Sequence, residues 1–500
     1  MKKIFLVAML FVSLGICAQN KATDKILKEG LENNQTMDHL DILCNRFGGR
    51  LIGSDAYDNA ADWVEYMFKK AGAKVERQIC GELPVGFNRG PWFGRALGLN
   101  GVSSLRFTTP SYTAGTKGVQ RGHVLKEPLS TREFEKMKGS IKGAWILIGG
   151  KNSGWPIDYS ATGDSLRALD IKHNDSLLTA KGPWADRAKQ MKTTPALFYR
   201  EMIEAGALGF IQSAACPITT LYDRKNLHKM TWETLPTTPD IKLDEQQYEI
   251  IAKAVERKEY FQLEFDIRNH FKMGPVPYDN VIAIFEGSKY PDECVIIGGH
   301  LDAFDVATGG VDCGTGSAVA IEVARIIGTL KEQPKRTIIC AIWCGEEFGL
   351  YGSRYFVENY KGDLNKISNY INRDGGPTLP TGATVPEAMY EDWVKAAAPL
   401  KGHFDFDVKV GKGFPIDKPK RAGGSDHAYF AMNGVPTISM DQGEPTGSNF
   451  DYREIWHTEH DLYNKAIPSN MEGASTITAI LTWYFANTPK ILDRTGYYKE

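Results

Sequence analysis

"GGHLDAFDVATGGVDCGTGSA", residues 298–318, places one His, three Asp and six Gly in twenty-one positions. The apolar run Cys294-Val295-Ile296-Ile297 precedes it, and Val319-Ala320-Ile321-Glu322-Val323-Ala324 follows. A short apolar run bounded by turn residues reads as a buried strand, and the segment after it as the start of a helix. Carboxylates and an imidazole therefore collect where a buried strand ends. Two readings compete for such a stretch: a polar, glycine-rich loop, or a metal site.

Working outward, the chain from Tyr278 onward alternates strands and helices. Strands are expected at Val281–Phe285, Glu293–Gly298, Thr337–Cys344, Ile367–Arg373 and Val435–Met440, with helices at Ser317–Leu330, Ala388–Ala398 and Ser469–Phe485. Several of these strands are apolar throughout. That pattern implies an α/β fold with a mainly parallel central sheet and helices on both faces. In such sheets ligands gather beyond the carboxyl ends of the strands.

Four polar clusters fall at those ends. His300, Asp302 and Asp312 follow the first strand, Glu346 and Glu347 the next, Asp374 the third, and His457-Thr458-Glu459-His460-Asp461 lies nearer the C-terminus. Each alone has an ordinary reading as a loop histidine, a solvated acidic face or a turn. Together they converge on one crevice, where unpaired buried carboxylates would be costly and a cation is expected. Two imidazoles with several carboxylates suit zinc, with manganese or cobalt as alternatives, better than calcium or magnesium. There are too many carboxylates for one tetrahedral ion, and the number fits two ions sharing a carboxylate.

The motifs HLD (300–302), VDCGTGSA (311–318), GEEFGLYGS (345–353), NRDGG (372–376) and HTEHD (457–461) resemble the zinc-dependent exopeptidase family, which includes secreted aminopeptidases and glutamate carboxypeptidases. The resemblance is strong over about 280–490 and weaker over 40–75. It implies two Zn2+ per chain: His300 and Asp374 on one, Glu347 and His457 on the other, and Asp312 between them. His457 is preferred to His460 because the family's ligand opens its motif. Glu346 is implied as general base, and Asp302 as the group orienting the His300 ring. Asp426 and His427, in Gly423-Gly424-Ser425-Asp426-His427, are candidate substrate contacts. Arg373 and Arg421 are weaker candidates for a substrate carboxylate, more ordinarily structural or surface residues. The chain departs from the family at Asp312-Cys313, where an acidic residue or Asn usually follows the shared Asp; no ligand is lost, but the local hydrogen bonding changes.

The activity so implied is hydrolysis of terminal bonds in short peptides or dipeptides by metal-activated water, with Glu346 relaying the proton. Aminopeptidase, carboxypeptidase and dipeptidase specificities share this frame. A glutaminyl cyclase-like enzyme with one zinc and a non-catalytic binding protein on the same fold are the alternatives.

Bulk properties set limits. A formal charge of −2 and no charged block argue against nucleic acid as a partner, leaving a peptide substrate and, undecided, a second copy of the chain. Met1-Lys2-Lys3 followed by a short apolar stretch reads as an export signal cut near Ala18, too short to span a membrane; lipoprotein anchoring at Cys17 is disfavoured by the bulky Ile16 before it. Cleavage leaves seven cysteines, with no CxxC; Cys294, Cys340 and Cys344 read as small buried hydrophobes. The expected organisation is a leader (1–18), an N-terminal part of the peptidase domain (19–114), an inserted protease-associated-like unit (115–265) and the catalytic domain (266–500).

Overall fold

A computed structural model describes residues 21–179, 189–224, 226–415, 417–443 and 451–498. The expected leader, 1–18, lies outside the described residues. No helix among the described residues is long and apolar enough to cross a membrane.

The site-bearing sheet has five strands in the order Lys74–Asn88, His270–Phe285, Arg336–Trp343, Tyr290–His300, Ile367–Asn372. The last three are mutually parallel, whereas His270–Phe285 runs antiparallel to both its neighbours. The α/β class holds, with the parallel character confined to the strands that carry the polar clusters. Their unbroken apolar runs follow from burial on both faces. Val295, Ile297, Ile338, Cys340 and Ile342 face one core, shared with the helices Asp55–Lys70, Gly316–Gly328 and Pro468–Asn487. Ile296, Ile339, Ala341 and Trp343 face another, covered by Tyr351–Glu358 and His427–Met432. Ser54 caps the first of these helices, its hydroxyl accepting from the Tyr57 amide at 3.1 Å.

The expected strand Val435–Met440 is not one. The segment lies beside Ile367–Asn372, but Pro436 has no N–H to enter a ladder. Instead the Tyr370 amide donates to the Pro436 carbonyl at 2.8 Å. The Asn369 side chain then takes the ladder's place, accepting from the Ile438 amide at 3.0 Å and donating to the Ile438 carbonyl at 3.1 Å.

A second sheet of seven strands is built between Trp92 and Ile267 and has its own apolar cores around Trp145, Phe265 and Phe210. Its strands reach back to Trp92, upstream of residue 115. A buried ion pair ties this unit to the loop after His300: Arg89 meets Asp305 at 2.8 Å, and Ser111 donates to the same carboxylate oxygen at 2.6 Å. Asp305, which no motif claims, acts here.

Arg50 is fully buried and gathers that loop. Its guanidinium donates to the carbonyls of Leu301 (2.8 Å), Leu43 (3.2 Å), Gly48 (3.0 Å), Thr308 (2.8 Å) and Gly309 (2.9 Å). Gly309 sits at φ +60°, and a Cβ there would lie 2.2 Å from the Ala303 methyl and 2.9 Å from Arg50 Nη2. Only glycine fits beneath the guanidinium. Replacing Arg50 with Met strands these carbonyls, each worth about 1–3 kcal/mol when left buried and unpaired. We expect Arg50→Met to destabilise the fold by more than about 3 kcal/mol, read as a lowered denaturation midpoint; an unchanged midpoint contradicts the clamp.

Candidate metal centre

Three strand ends and one loop bring the site together. His300 closes Tyr290–His300 and is fully buried. Its Nδ1 lies 2.8 Å from the backbone carbonyl of Asp302, which sets Nε2 toward Asp312 and Asp374. The Asp302 carboxylate is 3.8 Å from Nδ1 and is engaged elsewhere: its two oxygens accept the amides of Glu346 and Glu347, each at 3.1 Å. The residue therefore braces the ring through its peptide and caps the neighbouring turn through its side chain. That turn starts at Gly345, φ +64°, and sends the two glutamates apart. Glu347 packs against His457, while Glu346 faces the cleft.

Asp312 stands between the histidines. One carboxylate oxygen is 3.3 Å from His300 Nε2, and the other is 3.5 Å from His457 Nε2. Asp374 Oδ1 lies 3.6 Å from His300 Nε2, and Glu347 Oε2 lies 2.9 Å from His457 Nε2. The candidate ligands thus fall into two groups, one around His300 and Asp374 and one comprising Asp312, Glu347 and His457. His460 points away, toward Arg106 at 3.5 Å.

The donors suit a cation. His300 Nε2 and Glu347 Oε1 are buried with no hydrogen-bond partner among the described residues. Burial, reinforced by the carboxylates of Glu347, Asp426 and Asp374, pushes Glu346 up to about 10. Burial likewise raises Glu347, with Asp312 adding to it. A divalent ion placed among these groups inverts that tendency and lets them ionise. His457 is pushed down to about 4 by burial, so its ring is neutral and keeps a lone pair.

The cleft over these groups holds about 500 Å³ and is lined by Arg224, Asp312, Glu346, Glu347, Asp374, Tyr429, Tyr452, Trp456 and His457, among others. An adjoining cavity of about 570 Å³ shares Asp374 and Tyr452 and is lined by His427. Asp426 is fully buried and lines neither cavity; its charge is felt at Glu346. Arg373 is buried and Arg421 exposed, and neither lines either cavity. A larger groove of about 1010 Å³, at Ile282, Ile339 and Tyr360, is lined by none of the site residues.

Several residues here escape sequence reasoning. Asp461 accepts the Val311 amide at 2.6 Å and the Asp312 amide at 3.3 Å, fixing the loop that presents Asp312. Its place in HTEHD was visible, but not its role. Arg224 and Tyr222 had no signal, being an isolated pair in a stretch without clusters. They ride on a segment from the second unit that pairs with the His457 loop: Thr219 bridges Thr458, and the Thr220 amide donates to the His457 carbonyl at 3.1 Å. The Tyr222 hydroxyl donates to the Glu347 carbonyl, and the Arg224 guanidinium stands 5.9 Å from the Tyr222 ring centroid.

Comparison with known proteins agrees with this picture. The model of peptidase family M28 matches residues 280–481. Carboxypeptidase Q of Rattus norvegicus is 26% identical over 323 residues, 62% of this chain and 63% of the relative. Carboxypeptidase Q of Xenopus laevis is 30% identical over 305 residues, 58% and 60% respectively. The matches span between about half and just under two-thirds of the length of these curated relatives. Among solved structures, a peptidase M28 precursor from Shewanella amazonensis superposes with a TM-score of 0.58 at 21% identity, covering 96% of this chain and 99% of the other. BSAP, a zinc aminopeptidase from Bacillus subtilis, gives 0.52 at 15% identity, covering 93% and 97%. These two likenesses establish the shared fold. Over residues 280–481 the chain is thus similar to peptidase family M28, and over a wider stretch it is similar to carboxypeptidase Q.

Proposed function

We propose that this chain is an exported two-zinc exopeptidase that hydrolyses terminal bonds of short peptides. The observation that carries the reading is Asp312, whose two carboxylate oxygens face the two histidines from between two donor groups. A single-zinc cyclase has no use for both groups, and a binding protein has no use for a glutamate left free beside them. His300 and Asp374 would hold one ion, Glu347 and His457 the other, and Asp312 would be shared. Zinc so held would supply an acidified water and polarise a carbonyl.

The chain's own residues do the rest. Glu346 faces the cleft and coordinates nothing in this scheme, so its carboxylate takes the proton from the attacking water and returns it to the leaving amine. Asp302 holds both glutamates in place through their amides. Arg224 is the one permanently cationic side chain among the described residues lining the cleft. It supports a substrate with a free C-terminal carboxylate, which a guanidinium grips with two parallel hydrogen bonds. This favours dipeptidase or carboxypeptidase action over aminopeptidase action. Tyr452 and Trp456 add aromatic walls on which a side chain can rest.

Metal analysis of the purified protein, paired with free, N-blocked and C-blocked dipeptides, tests the reading; one ion per active chain or no hydrolysis of any peptide rejects it. Glu346→Gln should keep both ions while kcat falls by about 10²–10⁴, and near-normal turnover in that variant rules out the base. Arg224→Gln should raise KM for free-acid dipeptides by about 10-fold, with little change for C-terminal amides; equal losses on both would deny it the carboxylate. Exhaustive chelation should abolish turnover and lower the melting temperature, both recovering when zinc is added back, since an ion bound only by the folded chain stabilises it.

A further inference from the structure

The residue after Asp312 is Cys313, where the resemblance leads one to expect an acid or an amide. Its side chain is fully buried, and its sulfur, a His300 ring nitrogen and an Asp374 oxygen all lie within 4.8 Å of one another. The His300 Nδ1 is held by the Asp302 carbonyl at 2.8 Å, so the nitrogen left for this group is Nε2. That atom is buried and has no hydrogen-bond partner among the described residues. Asp312 Oδ1 comes to 3.3 Å from the same nitrogen. One nitrogen, one carboxylate oxygen and one sulfur therefore gather in one group, with the Asp312 carboxylate beside the nitrogen. The second group, Asp312, Glu347 and His457, offers no sulfur.

We infer that Cys313 supplies a sulfur ligand to the metal held by His300 and Asp374, making the two halves of the centre chemically unequal. The inference rests on the metal-binding reading above. The Cys313 thiol donates to the Arg373 carbonyl at 3.1 Å. On binding an ion the thiol would give up its proton to solvent and the sulfur would turn to the metal. A mixed nitrogen, oxygen and sulfur set would favour zinc over the hard cations. Gly316 permits the arrangement: a Cβ there would lie 2.5 Å from the Cys313 sulfur and 1.7 Å from the Arg373 carbonyl oxygen.

The test is the full chain stripped of metal and reloaded with cobalt, with bound ions counted by elemental analysis. Wild type should show a strong sulfur-to-cobalt charge-transfer band in the near ultraviolet. Cys313→Ser should lose that band, and its zinc affinity at one site should drop by at least about 10-fold. Cys340→Ser, in the sheet core, should keep the band. X-ray absorption of the zinc-loaded wild type needs no variant and should show a sulfur neighbour at about 2.3 Å. Bound ions with neither band nor sulfur neighbour overturn the inference, as does a band that survives Cys313→Ser. One bound ion with the band upholds the sulfur ligand and rejects the two-ion reading. A chain that binds no ion sinks both.

Discussion

The fork of Arg50 is the interaction on which the centre depends. The loop after His300 has no regular structure, so its carbonyls lack the partners a helix or sheet would give them. Arg50 satisfies those of Leu301, Thr308 and Gly309 and ties them to Leu43 and Gly48 from an earlier part of the chain. A guanidinium can do this because its five N–H groups radiate in a fixed plane, which an ammonium cannot match. The loop it holds carries Asp302 at one end and leads to Asp312 at the other. Both ends of the proposed centre are thus registered by one buried cation that touches no carboxylate proposed to bind metal.

Around that frame the carboxylates divide their labour by geometry, not by type. Asp302 and Asp461 both accept backbone amides, the first from Glu346 and Glu347, the second from Val311 and Asp312. Asp312, Glu347 and Asp374 instead turn their oxygens toward imidazole nitrogens. Burial drives Asp461 up to about 7 and Asp426 to about the same value, which shows how strongly this crevice disfavours negative charge left alone. Such crowding is tolerable when positive charge is delivered into it.

Much of this was legible in the sequence. Apolar runs such as Cys294–Ile297 marked strands buried on both faces, and polar residues at their ends marked the crevice. The rest was hidden for physical reasons. Pro436 and the Asn369 amide convert an expected strand into a side-chain-bonded segment, a substitution that periodicity cannot see. Arg50 stands in no motif, and its role emerges only when its carbonyl partners, most of them distant in sequence, are assembled around it. Asp302 reads as a brace for His300, and the fold divides the work: its peptide holds the ring while its carboxylate holds the neighbouring turn. Arg224 belongs to no local pattern; its meaning comes from where the second unit's backbone lands.

That landing has a consequence for how such a chain can diversify. The segment 218–224 leaves the second sheet, pairs with the backbone at His457 and Thr458, and sets a positive side chain at the rim of the cleft. The donor groups and the rim residue are therefore encoded in separate parts of the chain but meet across a few hydrogen bonds. On the proposed function, recognition could then drift through changes in one short segment while the proposed donor groups stay untouched. The same junction makes the second unit a wall of the cleft and not an appendage, since removing it would take away both the rim charge and a backbone partner of His457.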